Sequence, residues 1–376
     1  MNQIFRFNAV FTVLCCWLVA GTTLEAQKWS FEAAAYRGVI WRHTPKLSTR
    51  TGEVLWGQEL GLRLQTLGRQ PWEVWHRYPD LGLSFSHFRL GEGSHGEAYG
   101  LLPSLTVPIV RRPAWAVHFR VGTGLAWVTR PYDYFDNPGQ NAIGSHWNNF
   151  TQFKLYGEYR PSPYWRVMAG YSLNHFSNGS GALPNFGINL PSAFLSVAGQ
   201  VRPLKHTDFQ TTEASHRPDR RWGFQAQAAQ ARVEFAVFDG PQYPIWIFTA
   251  AGHFHITKVN RALLGAEYEN NVAVARWAWH VGDFSNRGDA RRAAQRLSVF
   301  LADEFLFGDF GVVLQAGYYV GAPINQFTLA NWYSKLTSRY YFPAIPHTRI
   351  RPQAGVSLKA HKAVAEYISF NVGFAF

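Results

Sequence analysis

Short segments in which apolar and polar residues alternate recur along almost the whole chain. The last is the clearest: Ile368, Phe370, Val372, Phe374 and Phe376 alternate with Ser369, Asn371, Gly373 and Ala375. A period of two puts successive side chains on opposite faces of a strand, so each segment reads as a strand with one apolar wall and one polar or small wall. Segments of this kind fall near 28–42, 53–67, 80–91, 97–110, 114–128, 148–160, 163–177, 187–201 and 222–235, then near 245–257, 260–270, 296–306, 309–319, 335–343, 349–359 and 364–376. Residues 272–281 could add a strand, 289–295 reads as a short helix or polar loop, and 203–221 as a charged loop. With allowance for strand ends, the pattern predicts an all-β protein of 12 to 16 strands. No repeat or linker divides it, so residues 27–376 are expected to form one domain.

Composition says which kind of β-protein this is. After residue 26 no apolar run reaches the ~18 residues that a membrane-spanning helix needs. Yet aromatics make up 16% of the chain and charged residues only 16%, whereas about 25% charged residues is usual in a soluble domain. A transmembrane antiparallel β-barrel of the outer-membrane type reconciles the two, because its strands face lipid on one side and belts of Trp and Tyr mark both membrane boundaries. The closing aromatic strand resembles the assembly signal of bacterial outer-membrane proteins, which places the chain in that membrane. Residues 1–26 read as a secretory signal, with Arg6 followed by an apolar stretch from Ala9 to Ala20. Both cysteines, Cys15 and Cys16, lie inside it, so the mature chain is expected to hold no disulfide. The net charge of +12 comes without a nucleic-acid recognition motif, so anionic lipid phosphate is the expected partner and nucleic acid is not. Arg202, Lys205, Arg217, Arg220 and Arg221 could supply such contacts from a loop.

Candidate chemistry sits at one strand end. His175 and Ser177 are two residues apart, share the parity of Trp165, Val167, Ala169, Tyr171 and Leu173, and are followed by Asn178-Gly179. An imidazole and a hydroxyl on one strand face suit a base beside its nucleophile. They would then stand on the apolar, lipid-facing wall.

The stretch His175-Phe176-Ser177-Asn178-Gly179, followed by Pro184-Asn185-Phe186-Gly187-Ile188, resembles the outer-membrane lipid A deacylases of the PagL-like acyloxyacyl hydrolase family. Asn141 to His146 resembles a segment of its longer members. The resemblance implies an active site on the outer barrel wall that hydrolyses an ester-linked acyl chain of lipid A (lipopolysaccharide) in the outer leaflet, with His175 as base and Ser177 as nucleophile. The family's third triad member, a glutamate, falls on Asn189, whose parity matches Pro191, Ala193, Leu195 and Val197. An amide can hold the imidazole tautomer but adds no charge. From residue 137 to 207 the sequence holds a single carboxylate, Glu158, whose parity points it inward. Asn185 and the backbone N–H groups of Asn178 and Gly179 are candidate oxyanion donors.

No cofactor or metal is expected. His253 and His255 share a face without a carboxylate or cysteine beside them, and Asp133 and Asp136 lack the alternating acids of a calcium loop. A non-catalytic barrel, a pore or a lipid-binding scaffold, is the competing function, and a soluble lectin-like β-protein a more distant one.

Overall fold

In hydrocarbon every backbone N–H and C=O must find a partner within the protein, so alternating strands are stable there only when their sheet closes on itself. The computed structural model describes residues 28–376 apart from 92–93, 201, 204, 211–220, 237, 322–329 and 363. The expected signal at 1–26 lies outside the described residues. Eight antiparallel strands come first: β1 (Lys28–Gly38), β2 (Leu55–Gln65), β3 (Asp80–Arg89), β4 (Glu97–Arg111), β5 (Trp115–Val128), β6 (Trp147–Tyr159), β7 (Trp165–Ser177) and β8 (Ile188–Gln200). Strand β8 then pairs back with β1, from Ser30↔Gln200 to Gly38↔Ser192. A second set follows: β9 (Trp222–Val233), β10 (Tyr243–His255), β11 (Asn260–Asn271), β12 (Gln295–Phe307), β13 (Phe310–Val320), β14 (Trp332–Tyr341), β15 (Arg351–His361) and β16 (Val364–Ala375). Here β16 closes on β9.

The expectation of one barrel over 27–376 is therefore corrected. The described residues form sixteen strands, but these make two closed barrels of eight. Alternation along a strand is the same whether eight strands or sixteen close the sheet, and closure depends on pairings 138 to 170 positions apart. The stretch 272–281, which could have added a strand, is instead the helix α2 (Val272–His280), capped by the Asn271 side chain, which accepts from the Ala273 and Val274 N–H groups. A shorter helix α3 (Arg287–Ala293) follows it. No helix among the described residues is long and apolar enough to cross a membrane.

Both lumens are packed. In the first barrel Glu59 accepts from Tyr36, Ser86, Gln152, Arg120 and Lys154 at 2.9 to 3.2 Å. In the second, Glu267, Glu269 and Glu304 meet Lys335, Lys359, Arg296 and Arg261. Each of these lumenal charges thus has an opposite partner, which offsets the large cost of desolvation. Outward positions carry large apolar side chains, among them Phe31, Leu60, Leu155, Leu195, Leu264, Leu301 and Val372. Exposed aromatics gather at both strand ends of the first barrel, with Trp56, Trp127 and Trp147 at one and Trp115, Tyr159 and Trp165 at the other. Such belts mark the two membrane boundaries.

Within each barrel the longest connections, 39–54 and 129–146 in the first and 272–294 in the second, lie at one end, which identifies it as extracellular. The linker between β8 and β9 is then periplasmic. Arg202, Lys205 and Arg221 stand there, away from the outer leaflet, while Arg217 and Arg220 lie outside the described residues. The two barrels touch at both rims. On the periplasmic side the short helix α1 (Pro71–Trp75) leads into His76, whose ring stacks on Phe307 at 4.3 Å and whose Nε2 bonds Leu306 O at 2.8 Å. On the extracellular side the β7–β8 turn meets the β9–β10 loop.

Candidate active site

Register assembles the site. In the β7–β8 ladder His175 stands directly opposite Asn189, a position where cross-strand side chains come within reach of each other. His175 Nδ1 and Asn189 Oδ1 are 2.7 Å apart. Since an amide oxygen only accepts, Nδ1 carries the proton and Nε2 is left as the basic nitrogen. The outward parity of the stripe holds, because Trp165, Tyr171, Leu195 and Val197 are all exposed.

The turn after β7 surrounds the hydroxyl. Ser177 is buried, at 4% exposure. Its Oγ receives the Asn185 amide N–H at 2.9 Å and the Gly179 backbone N–H at 3.2 Å. Asn178 N–H donates instead to Asn185 Oδ1 at 3.1 Å. Of the candidate oxyanion donors, Asn185 and Gly179 therefore point at the serine oxygen itself. No hydrogen bond between His175 and Ser177 is present among the described residues. Such bonds are commonly long before substrate binds and tighten in the Michaelis complex.

Two glycines make the arrangement possible. Gly179 has φ +61 and turns the chain so that its N–H faces back to Ser177. Gly187 has φ +79, and a Cβ there would sit 3.0 Å from His175 Cε1. The turn is braced by the neighbouring loops. Asn178 Nδ2 donates to Ser145 Oγ at 2.8 Å, Gly187 N to Ala142 O at 2.8 Å, and His43 Nε2 lies 3.0 Å from Phe186 O. Ala142 and Ser145 belong to the 141–146 segment singled out in the sequence, whereas His43 carried no signal.

Glu158 is not the missing acid. It is buried inside the barrel, pairs with Arg160 at 2.7 Å, and stands opposite Met168, nearer the periplasmic end than His175. A carboxylate that sequence reasoning missed, Glu234, approaches the turn from the second barrel and accepts the Leu183 N–H at 2.7 Å.

The other candidates stay apart from this site. His253 faces the second lumen beside Arg261 Nη1 at 3.2 Å, with His255 on the same wall. Asp133 Oδ1 accepts from the backbone N–H groups of Phe135 and Asp136, which hold its carboxyl below the usual range. No group of three His, Cys, Asp or Glu side chains able to hold a metal occurs among the described residues.

Residues 56–198 match the family model described as lipid A 3-O-deacylase (PagL). Residues 222–376 match that of the acyloxyacyl hydrolase C-terminal domain. The two matches divide the chain where the two barrels divide it. No curated protein matches the chain. Among solved structures, the outer membrane enzyme PagL aligns at 15% identity over 44% of this chain and 97% of its own, with a TM-score of 0.31. Neisserial surface protein A aligns at 13% identity over 46% and 96%, also at 0.31. The KdgM porin aligns at 8% identity over 74% and 92%, at 0.17.

Proposed function

Because the chain belongs to the PagL-like family of lipid A deacylases and acyloxyacyl hydrolases of the bacterial outer membrane, we propose that it hydrolyses an ester-linked acyl chain of lipid A at Ser177 and His175. The observation that carries this reading is the His175–Asn189 pair, which leaves Nε2 free on the lipid-facing wall two residues from a hydroxyl already ringed by N–H donors.

In this mechanism Ser177 Oγ attacks the ester carbonyl carbon while His175 Nε2 takes its proton. The carbonyl oxygen becomes an oxyanion, and the Asn185 amide and Gly179 N–H, which now serve Oγ, stand close enough to turn to it. Collapse breaks the bond to the ester's alkoxide oxygen, which leaves with the proton from Nε2. Water then attacks the acyl-serine, gives a proton to Nε2, and frees the fatty acid; that proton returns to Ser177. Asn189 holds the ring in place throughout. Its lack of charge makes the imidazolium intermediate costlier than a carboxylate would. No cofactor or metal enters any step.

The alternative, a non-catalytic scaffold on the same fold, is favoured by the amide at Asn189. A pore fits less well, since the buried ion pairs fill both lumens. The deciding experiment is mass spectrometry of purified lipid A incubated in detergent with the folded protein, beside Ser177→Ala and His175→Ala. Loss of one acyl mass that requires both residues is expected. An unchanged lipid A spectrum with folded wild-type protein would move the assignment to the scaffold.

A further inference from the structure

The turn that surrounds Ser177 belongs to the first barrel in sequence, but the second barrel fastens it. Leu183 N donates to Glu234 Oε2 at 2.7 Å, and Glu234 N donates to Ser180 O at 3.0 Å. Ser180 Oγ donates to Ala365 O at 3.1 Å, and Gln242 Nε2 donates to Gly181 O at 2.7 Å. Ile368 of β16 lies over Gly179 so closely that a Cβ on Gly179 would come within 2.4 Å of its Cγ1. These contacts span residues 179–183, between the hydroxyl and the Asn185 amide that touches it.

Ordering a free turn costs backbone entropy at every residue it fixes. A turn held from outside has met that cost before substrate arrives. Glu234 is the one carboxylate among these fastenings. It is itself buried, at 8% exposure, and a carboxylate makes stronger hydrogen bonds to backbone N–H than a neutral acceptor does.

We propose that the second barrel positions the reacting turn of the first, with Glu234 as its positioning residue: by holding Leu183 it fixes Asn185 against Ser177. The proposal rests on the reading of Ser177 as the nucleophile. Glu234 touches neither the hydroxyl nor the imidazole, so its effect should fall on turnover and not on lipid affinity.

The test uses the full chain in detergent with Glu234→Ala and Glu234→Gln. Hydrogen exchange over residues 178–187 is read beside kcat and KM on lipid A. Loss of a charge-assisted hydrogen bond predicts roughly tenfold faster exchange and a roughly tenfold lower kcat in the alanine variant, at unchanged KM. Glutamine keeps an acceptor oxygen and should restore most of both. Should Glu234→Ala fail to fold, Gln242→Ala removes a separate fastening from an exposed position and should give the same pattern, smaller in size. Unchanged exchange, or faster exchange with unchanged kcat, would overturn the proposal. A wild-type chain inactive on lipid A would overturn the esterase reading instead, and the exchange measurement tells the two failures apart.

Discussion

Replacing Asn189 by aspartate is the sharpest probe of the base. The two side chains are nearly isosteric, so Asn189→Asp keeps an acceptor oxygen at the 2.7 Å now observed to His175 Nδ1. The change adds a negative charge about 4 Å from the centre of the imidazolium that forms during catalysis. With an effective dielectric constant near 20 the attraction is about 4 kcal/mol, or about a thousandfold in rate. Desolvation of the new carboxylate on a lipid-facing wall subtracts from this, so the expected rise in kcat lies between roughly tenfold and a thousandfold. Asn189→Leu removes the acceptor, leaves the tautomer unfixed, and should lower kcat by at least roughly tenfold. Fatty-acid release from lipid A in mixed micelles, with folding checked by β-sheet circular dichroism, measures both. A flat kcat across Asn, Asp and Leu would refute the link between residue 189 and the base, and with it the assignment of Nε2.

Gly187→Ala puts a Cβ 3.0 Å from His175 Cε1 at a residue with φ +79, a backbone conformation that costs a non-glycine residue roughly 1–2 kcal/mol. It should lower kcat by roughly tenfold or more in a barrel that still folds, and wild-type kinetics would show that the ring does not depend on this packing. His95, in the β3–β4 loop, bonds Thr49 at 2.6 Å and Ser94 at 2.9 Å, and burial pushes its pKa down to about 4. Unfolded, it would titrate near 6.5. Between those values the opened loop binds a proton that the closed loop refuses, so loop stability is complete above pH 6.5 and falls toward pH 4, by at most about 3 kcal/mol. Protection factors in the 39–54 and 90–96 loops, with the intrinsic pH dependence of amide exchange divided out, should fall on acidification in the wild type and not in His95→Gln; identical profiles would count against this.

Much of this architecture can be read from single residues. The sixteen alternating segments coincide with the sixteen strands, because side-chain parity is a local property. Parity also placed His175 and Asn189 on one face, and the ladder sets them opposite each other. Closure was not legible, since which strand seals β1 depends on partners distant in sequence. The one local sign of two barrels is the charged stretch after β8, which interrupts the alternation. The helix at Val272–His280 was missed because Val272, Val274 and Trp277 suit a strand as well as a helix, and the Asn271 cap decides between them. Nothing near Glu234 in the sequence marks it as a partner of Leu183, because that contact exists only once two closed cylinders stand side by side.

Among the described residues the barrels meet at their rims, and neither lends the other a strand. Two separate chains would have to find this arrangement by diffusion in the plane of the membrane and hold it by those contacts alone. The connection between β8 and β9 removes that requirement. It makes docking an intramolecular event, at an effective concentration on the order of millimolar for a short tether. The rim contacts then need not recruit a free partner to keep the second barrel engaged on the turn. In the proposed arrangement, covalent continuity acts together with the rim contacts to keep the second barrel at the turn.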